Sequence, residues 1–280
     1  METTVFLAVL AAAAMHAGWN AVVKIGLDSY LAVTLIGVAT GLVALACLPF
    51  VPTPTGTIWF WVVGSAALHT GYKLFLVEAY RSGDLGQVYP IARGAAPLLV
   101  AVFGALFLGE RPGPLPAAGI AALVLGVWLM SLRGGGLARM ARRGIFFAIG
   151  TACFIAAYTI VDGLGARRAG HASGFVTWLL AIDGAFMLAI CLARRGAGAL
   201  PAMAAAWKSG LAGGVMSLGA YWIAIWAMTK APIAAVAALR ETSVLFALLI
   251  STLFLHEPLT RWRLAAAALI VLGAMAVRLA

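Results

Sequence analysis

Ten apolar stretches occupy almost all of this 280-residue chain and leave little room for anything else. They run at about 4–23, 30–50, 57–80, 85–108, 114–132, 144–163, 172–193, 207–228, 232–255 and 261–279. Each is close to the roughly 20 residues that a helix needs to cross the hydrocarbon core of a bilayer. In hydrocarbon every backbone N–H and C=O must be paired within the chain, which leaves helices or closed barrels. The connections are short and carry Gly or Pro, as in PTPTG (52–56) and GERPGP (109–114), and no soluble domain fits between them. The expected fold is an all-α integral membrane protein of ten transmembrane helices.

Composition agrees. The chain is 64% hydrophobic and 10% charged, against about 25% charged in a soluble domain. Its net charge of +10 lies mostly in the short segments between apolar runs, where Lys and Arg set topology. Nucleic-acid binding is therefore not expected. Cys47, Cys153 and Cys191 all fall in apolar segments without metal-type spacing, and read as small packing residues. The N-terminal apolar run lacks a basic leader and continues to Val23, so it reads as the first span.

The halves repeat. YPIARGAAPLLVAVFGALFLGERP (89–112) matches AALRETSVLFALLISTLFLHEP (237–258) in character. Arg93 precedes Glu110 by 17 residues, as Arg240 precedes Glu257. Upstream, YKLFLVEAYR (72–81) matches YWIAIWAMTK (221–230). The basic segment RGGGLARMARRG (133–144) follows the fifth span and divides the halves. The expected organisation is a first repeat over 1–132, a connecting loop over 133–143 and a second repeat over 144–280. Five spans per half is an odd number, so the second repeat enters the membrane in the opposite sense. That is the organisation of secondary transporters that alternate access around a midplane site.

With GDLGQVYPIARGAAPLL (83–99), LGER (108–111) and LRETSVLFALL (239–249) in this order, the chain resembles the drug/metabolite transporter superfamily. Within it the likeness is to proteins with two EamA-type repeats, and AAAAMHAGWNAVVK (11–24) resembles their first span. The resemblance implies a gradient-driven carrier, often an exporter of amino acids or related metabolites. It also implies a central cavity, with the third, fourth, eighth and ninth spans near it.

Charges inside the spans are the informative residues, because an arginine at bilayer depth costs about 3 kcal/mol or more. Arg93 and Arg240 each lie roughly 12 Å into their spans at 1.5 Å per residue, near the midplane. Guanidinium groups placed there suit a substrate carboxylate or phosphonate, or a structural pair with Glu241, Glu78 or Asp183. His16, Trp19 and Asn20 share one face of the first span, and His69, Tyr72 and Lys73 share one of the third. Tyr89, Trp178, Tyr221 and Trp222 add aromatic surface for a cavity wall or an interface belt. Asp183, Glu241 and Glu78 are the candidate proton-carrying carboxylates, with charge balance for Lys73 and the arginines as the alternative. Pro90, Gly94 and Pro97 around Arg93 predict a kinked helix. Glu110 and Glu257 close the fourth and ninth helices and read as structural marks of the repeat, with Arg111 or Arg261 as partner.

No HExxH, GxSxG or cluster of His and Asp is present, so an enzyme is not expected, nor a cofactor or bound metal. The reading is a multi-pass protein of a bacterial-type inner membrane, in contact with lipid and working as a monomer. It would export amino acids, aromatic ones among them, or related carboxylates. A multidrug cation exporter and a lipid-phosphate flippase are the alternatives. Relatives usually keep both termini in the cytoplasm. That orientation would put five basic residues inside (Arg111, Arg167, Arg168, Lys230, Arg278) and eleven outside, from Lys24 to Arg263. The positive-inside rule favours the reverse, with both termini outside.

Overall fold

The computed structural model describes residues 1–22, 27–82, 91–132, 142–254 and 259–279. Among these residues the chain is helical, with short turns between helices. The helices are α1 (Thr3–Val22), α2 (Ser29–Cys47), α3 (Ile58–Ser82), α4 (Ala96–Phe107), α5 (Pro114–Leu132) and α6 (Arg142–Ala169). They continue with α7 (Ala172–Arg195), α8 (Ala199–Ala205), α9 (Trp207–Met228), α10 (Ile233–Arg240), α11 (Ser243–Phe254) and α12 (Arg261–Leu279). Eight helical stretches are long and apolar enough to span, one of them α10 and α11 together (Ile233–Leu253). Two shorter apolar helices, Ile91–Phe107 and Pro114–Met130, bring the number of spans to ten.

Local chemistry sets several boundaries. Asp28 caps α2 by accepting from the amides of Tyr30 and Leu31 at 3.0 and 3.2 Å, which satisfies two orphan donors of the first turn. Gly170, at φ 74°, lets α6 give way to α7 within two residues. The α6 helix continues to Ala169 rather than stopping at 163, its end marked by Arg167 and Arg168. Basic side chains there complement the helix dipole.

Both arginine-bearing spans are interrupted. Helical residues from Ile91 bend at Ala95, beside Pro97, before α4 continues. The ninth span breaks between α10 and α11 without a proline or glycine. There Glu241, Thr242, Val244 and Leu245 donate to carbonyls three residues back, and the Thr242 hydroxyl donates to Leu239 O at 2.6 Å. A side chain that takes up a helix carbonyl competes with the next helical turn. Arg240 is the last residue of α10, so both arginines stand at helix breaks.

Packing follows a pseudo-two-fold relation between the halves. The pairs α2 with α7, α4 with α10, and α5 with α12 each join a helix to its own counterpart. The contact of α3 with α6 is matched by α1 with α9, that of α3 with α7 by α2 with α9, and that of α4 with α6 by α1 with α11. Where counterparts cross, small residues face each other. A Cβ added at Gly41 would lie 2.9 Å from Gly184 Cα, and one at Gly273 would lie 2.7 Å from Gly119 O. Such crossings bring backbones close enough to pack without a hydrophobic driving force. The outer surface is apolar, as contact with lipid requires: Phe50, Phe60 and Phe107 are 86, 80 and 73% exposed. Polar side chains such as Thr34, Asp162, Asp183 and Glu241 are turned inward.

Replacing Gly41 by Ala should lower unfolding stability in detergent by about 1–3 kcal/mol, the usual cost of overpacking. Gly64→Ala, where an added Cβ meets nothing within 4 Å, should leave stability unchanged or slightly higher. Equal melting temperatures for the two variants would contradict the close crossing.

Candidate functional site

Three basic side chains reach the middle of the bundle among the described residues, Lys73, Arg93 and Arg240, and all three line one cavity. The cavity measures about 720 Å³ with its open mouth, and His16, Trp19, His69, Tyr72, Tyr158 and Tyr221 form its walls. Ile36, Leu76 and Leu180 supply apolar surface. Most of these positions lie in the half of the bundle away from the chain termini.

The two arginines differ. Arg93 is held in a fork by Glu241 of the opposite repeat, with Nη2 donating to Oε1 at 3.1 Å and Nε to Oε2 at 3.4 Å. Its Nη1 lies 2.8 Å from His16 Nε2. Both partners are buried, so the pair has little water to compete with it. Arg240 forms no ion pair with a described carboxylate. Its guanidinium carbon lies 5.2 Å from the ring centroid of Tyr221, within cation–π range. Of the two aligned arginines, one is neutralised by the protein and the other presents its charge to the cavity.

The buried carboxylates are also accounted for. Asp183, fully buried, accepts from Lys73 Nζ and from the Thr70 hydroxyl at 3.0 Å. Asp162, fully buried on α6, accepts from the Ser65 and Tyr221 hydroxyls and lies 3.0 Å from His69 Nε2. The His69 ring stacks on Tyr158, with centroids 4.0 Å apart and planes 25° from parallel, and meets Tyr221 edge-on at 4.9 Å. The Asp162 carboxylate itself does not line the cavity, whereas His69 and Tyr221 do.

Of the other candidates, Trp19 Nε1 donates to His16 Nδ1 at 3.2 Å. A neutral imidazole has one lone pair in its ring plane, so it accepts fully from Trp19 or from Arg93, not both. Asn20 donates to His16 O at 2.7 Å and does not line the cavity. Trp178 stands apart, edge-on to Trp59 at 5.1 Å, and Trp222 lies on the outer surface. Glu78 sits near the end of α3, paired with Arg81 at 2.9 Å and Arg143 at 3.2 Å, outside the cavity. Tyr89, Pro90 and Glu257 lie outside the described residues. Among the described residues no group of three or more His, Cys, Asp or Glu could hold a metal ion.

Two features of the site escape the sequence reading. Asp162 falls at the end of a span when the helix is stopped at 163, but α6 runs six residues further and carries it inward. The pair Arg167–Arg168, a usual mark of a helix end, was the available signal. Glu110 finds neither Arg111 nor Arg261 but Arg167, whose Nη1 donates to it at 2.6 Å. Arg167 also donates to Met228 O and Ala231 O at 2.8 and 2.9 Å, and Glu110 accepts from the Ile233 amide at 3.0 Å. One carboxylate and one guanidinium thus tie the ends of α4, α6 and α9 to the start of α10, on the side of the termini.

Removing one partner of a buried pair leaves the other charge uncompensated. Glu241→Gln should therefore cost about 3–5 kcal/mol in detergent unfolding. The double variant Arg93→Gln/Glu241→Gln should cost less than the sum of the single changes. Additive costs would show that the pair is not coupled.

The EamA-like transporter family matches the chain over residues 3–132 and 142–279. No curated protein matches. One solved crystal structure superposes with a TM-score of 0.80, covering 100% of this chain and 98% of its own. Its sequence identity is 20%, a likeness of fold alone. The chain is a multi-pass membrane protein built on two repeats, and it belongs to the EamA-like transporter family of the drug/metabolite transporter superfamily.

Proposed function

We propose that this small-molecule transporter carries amino acids or related carboxylates, aromatic ones among them, and exports them by alternating access. The observation that supports this reading is Arg240, which faces a cavity walled by tyrosines with no described carboxylate to neutralise it. A substrate carboxylate supplies the missing counter-charge with bidentate geometry. Tyr72, Tyr158, Tyr221 and Trp19 offer flat surface for an aromatic or aliphatic side chain. Arg93 contributes mainly by fixing the cavity wall through Glu241 and His16.

A cationic drug finds a poorer site. Asp183 is taken by Lys73 and Glu241 by Arg93, while Arg240, with no described counter-ion, repels a cation. Export agrees with the charge count. The side opposite the termini carries most of the Lys and Arg and so faces the cytoplasm by the positive-inside rule. The cavity leans to that side, and the Glu110–Arg167 tie draws the other side together. Rocking of one repeat against the other would release that tie and turn the cavity outward.

The test is a thermal-shift screen in detergent with amino acids, their deaminated analogues, phosphonates and cationic dyes, followed by proteoliposome flux of each hit. A carboxylate-bearing compound should stabilise the parent protein, and Arg240→Gln should lose that stabilisation while staying folded. Stabilisation by dyes alone, or full binding by Arg240→Gln, would overturn the reading.

A further inference from the structure

We propose that Asp162, reached through His69, is the proton site of this carrier and that it gives up its proton when an ammonium-bearing substrate fills the cavity. The inference rests on the carboxylate reading for Arg240 and adds the coupling ion. Asp162 is a fully buried carboxylate outside the cavity lining.

Its described polar neighbours come from two other helices and from α6 itself. From α3 come Ser65 and His69, from α9 comes Tyr221, and on α6 itself Tyr158 stacks on the His69 ring. Arg240 at the end of α10 lies over the Tyr221 ring. Lys73 and Arg93 are spent on Asp183 and Glu241. Among the described residues Asp162 therefore has no permanent cation as a partner, in contrast to Asp183 and Glu241. Three donors suit its ionised form, and a carboxylate held by neutral donors can be protonated without stranding a buried lysine or arginine.

His69 joins this carboxylate to the cavity. Its Nε2 faces Asp162 Oδ2 and the Tyr221 hydroxyl, each at 3.0 Å, and the ring lines the cavity wall. A hydronium ion in the cavity gives a proton to Nδ1 and becomes water, and the Nε2 proton passes to Asp162 Oδ2. The carboxylate is then a neutral acid, and the imidazole has changed tautomer. The reverse path returns the proton. No other bond changes.

Coupling follows from position. Tyr221 lies between the two ends of the site, its ring under Arg240 and its hydroxyl on Asp162. An amino acid with its carboxylate on Arg240 brings its α-ammonium toward the His69–Tyr221 wall. Ionised Asp162 attracts that ammonium and the protonated acid does not. Substrate and proton thus exclude one another, and an inward proton gradient drives the amino acid outward.

Two measurements test this. The first is infrared difference spectra of the purified, substrate-free protein between acidic and alkaline buffer. A protonated-carboxyl C=O band should fade toward alkaline pH, vanish in Asp162→Asn and persist in Glu78→Gln. A band that survives in Asp162→Asn, or none in the parent protein, would overturn the proton site. In proteoliposomes, Asp162→Asn, which mimics the protonated acid, should take up L-phenylalanine more weakly than the parent protein and without response to an imposed proton gradient. Gradient-driven accumulation by Asp162→Asn would overturn the coupling. Failure of L-phenylalanine to bind the parent protein would count against the proposed function alone, and the infrared result would still decide the proton site.

Discussion

Charge buried at bilayer depth must be matched or wet, and the centre of this molecule is arranged around that requirement. The Arg93–Glu241 pair meets it by joining the two repeats: an arginine near the break in one span is held by a glutamate at the break in its counterpart. His16 on α1 joins through Nη1, so three spans from both halves converge on one guanidinium. With Arg93 neutralised within the protein, Arg240 is the cavity cation without an ion pair among the described residues. The inverted repeat is thus symmetric in backbone and asymmetric in charge.

The same asymmetry orders the other polar groups. Lys73 and Asp183 tie α3 to α7, while Asp162, Ser65, His69 and Tyr221 tie α3, α6 and α9. These ties cross between the two repeats. At the side of the termini the Glu110–Arg167 contact and its backbone partners are polar, local and partly exposed. A contact of that kind costs little to open and close compared with the buried pairs, which suits a gate.

Much of this was legible in the sequence. Ten apolar runs, the odd number per half and the equal spacing from arginine to glutamate specify the inverted repeat and place Arg93 and Arg240 near the midplane. His16, Trp19, His69 and Tyr72 were legible as cavity faces because helical periodicity groups them. The pairing was not legible. Glu241 follows Arg240 in the chain yet bonds Arg93, 148 residues away, because the tightened turn at 241–243 aims successive side chains in different directions. That break carries no proline or glycine, so periodicity reads straight through it. Asp162 was lost to a helix boundary set too early. Glu110 was assigned a neighbour in sequence, whereas its partner comes from the end of α6.

In the proposed function Arg240 is the counter-charge for a substrate carboxylate. An experimental structure of the protein with L-phenylalanine bound would test this most directly. The account predicts carboxylate density against the Arg240 guanidinium, with Arg93 still forked onto Glu241. Density for the carboxylate on Arg93 with Glu241 displaced, or Arg240 paired with a carboxylate of the protein itself, would contradict it.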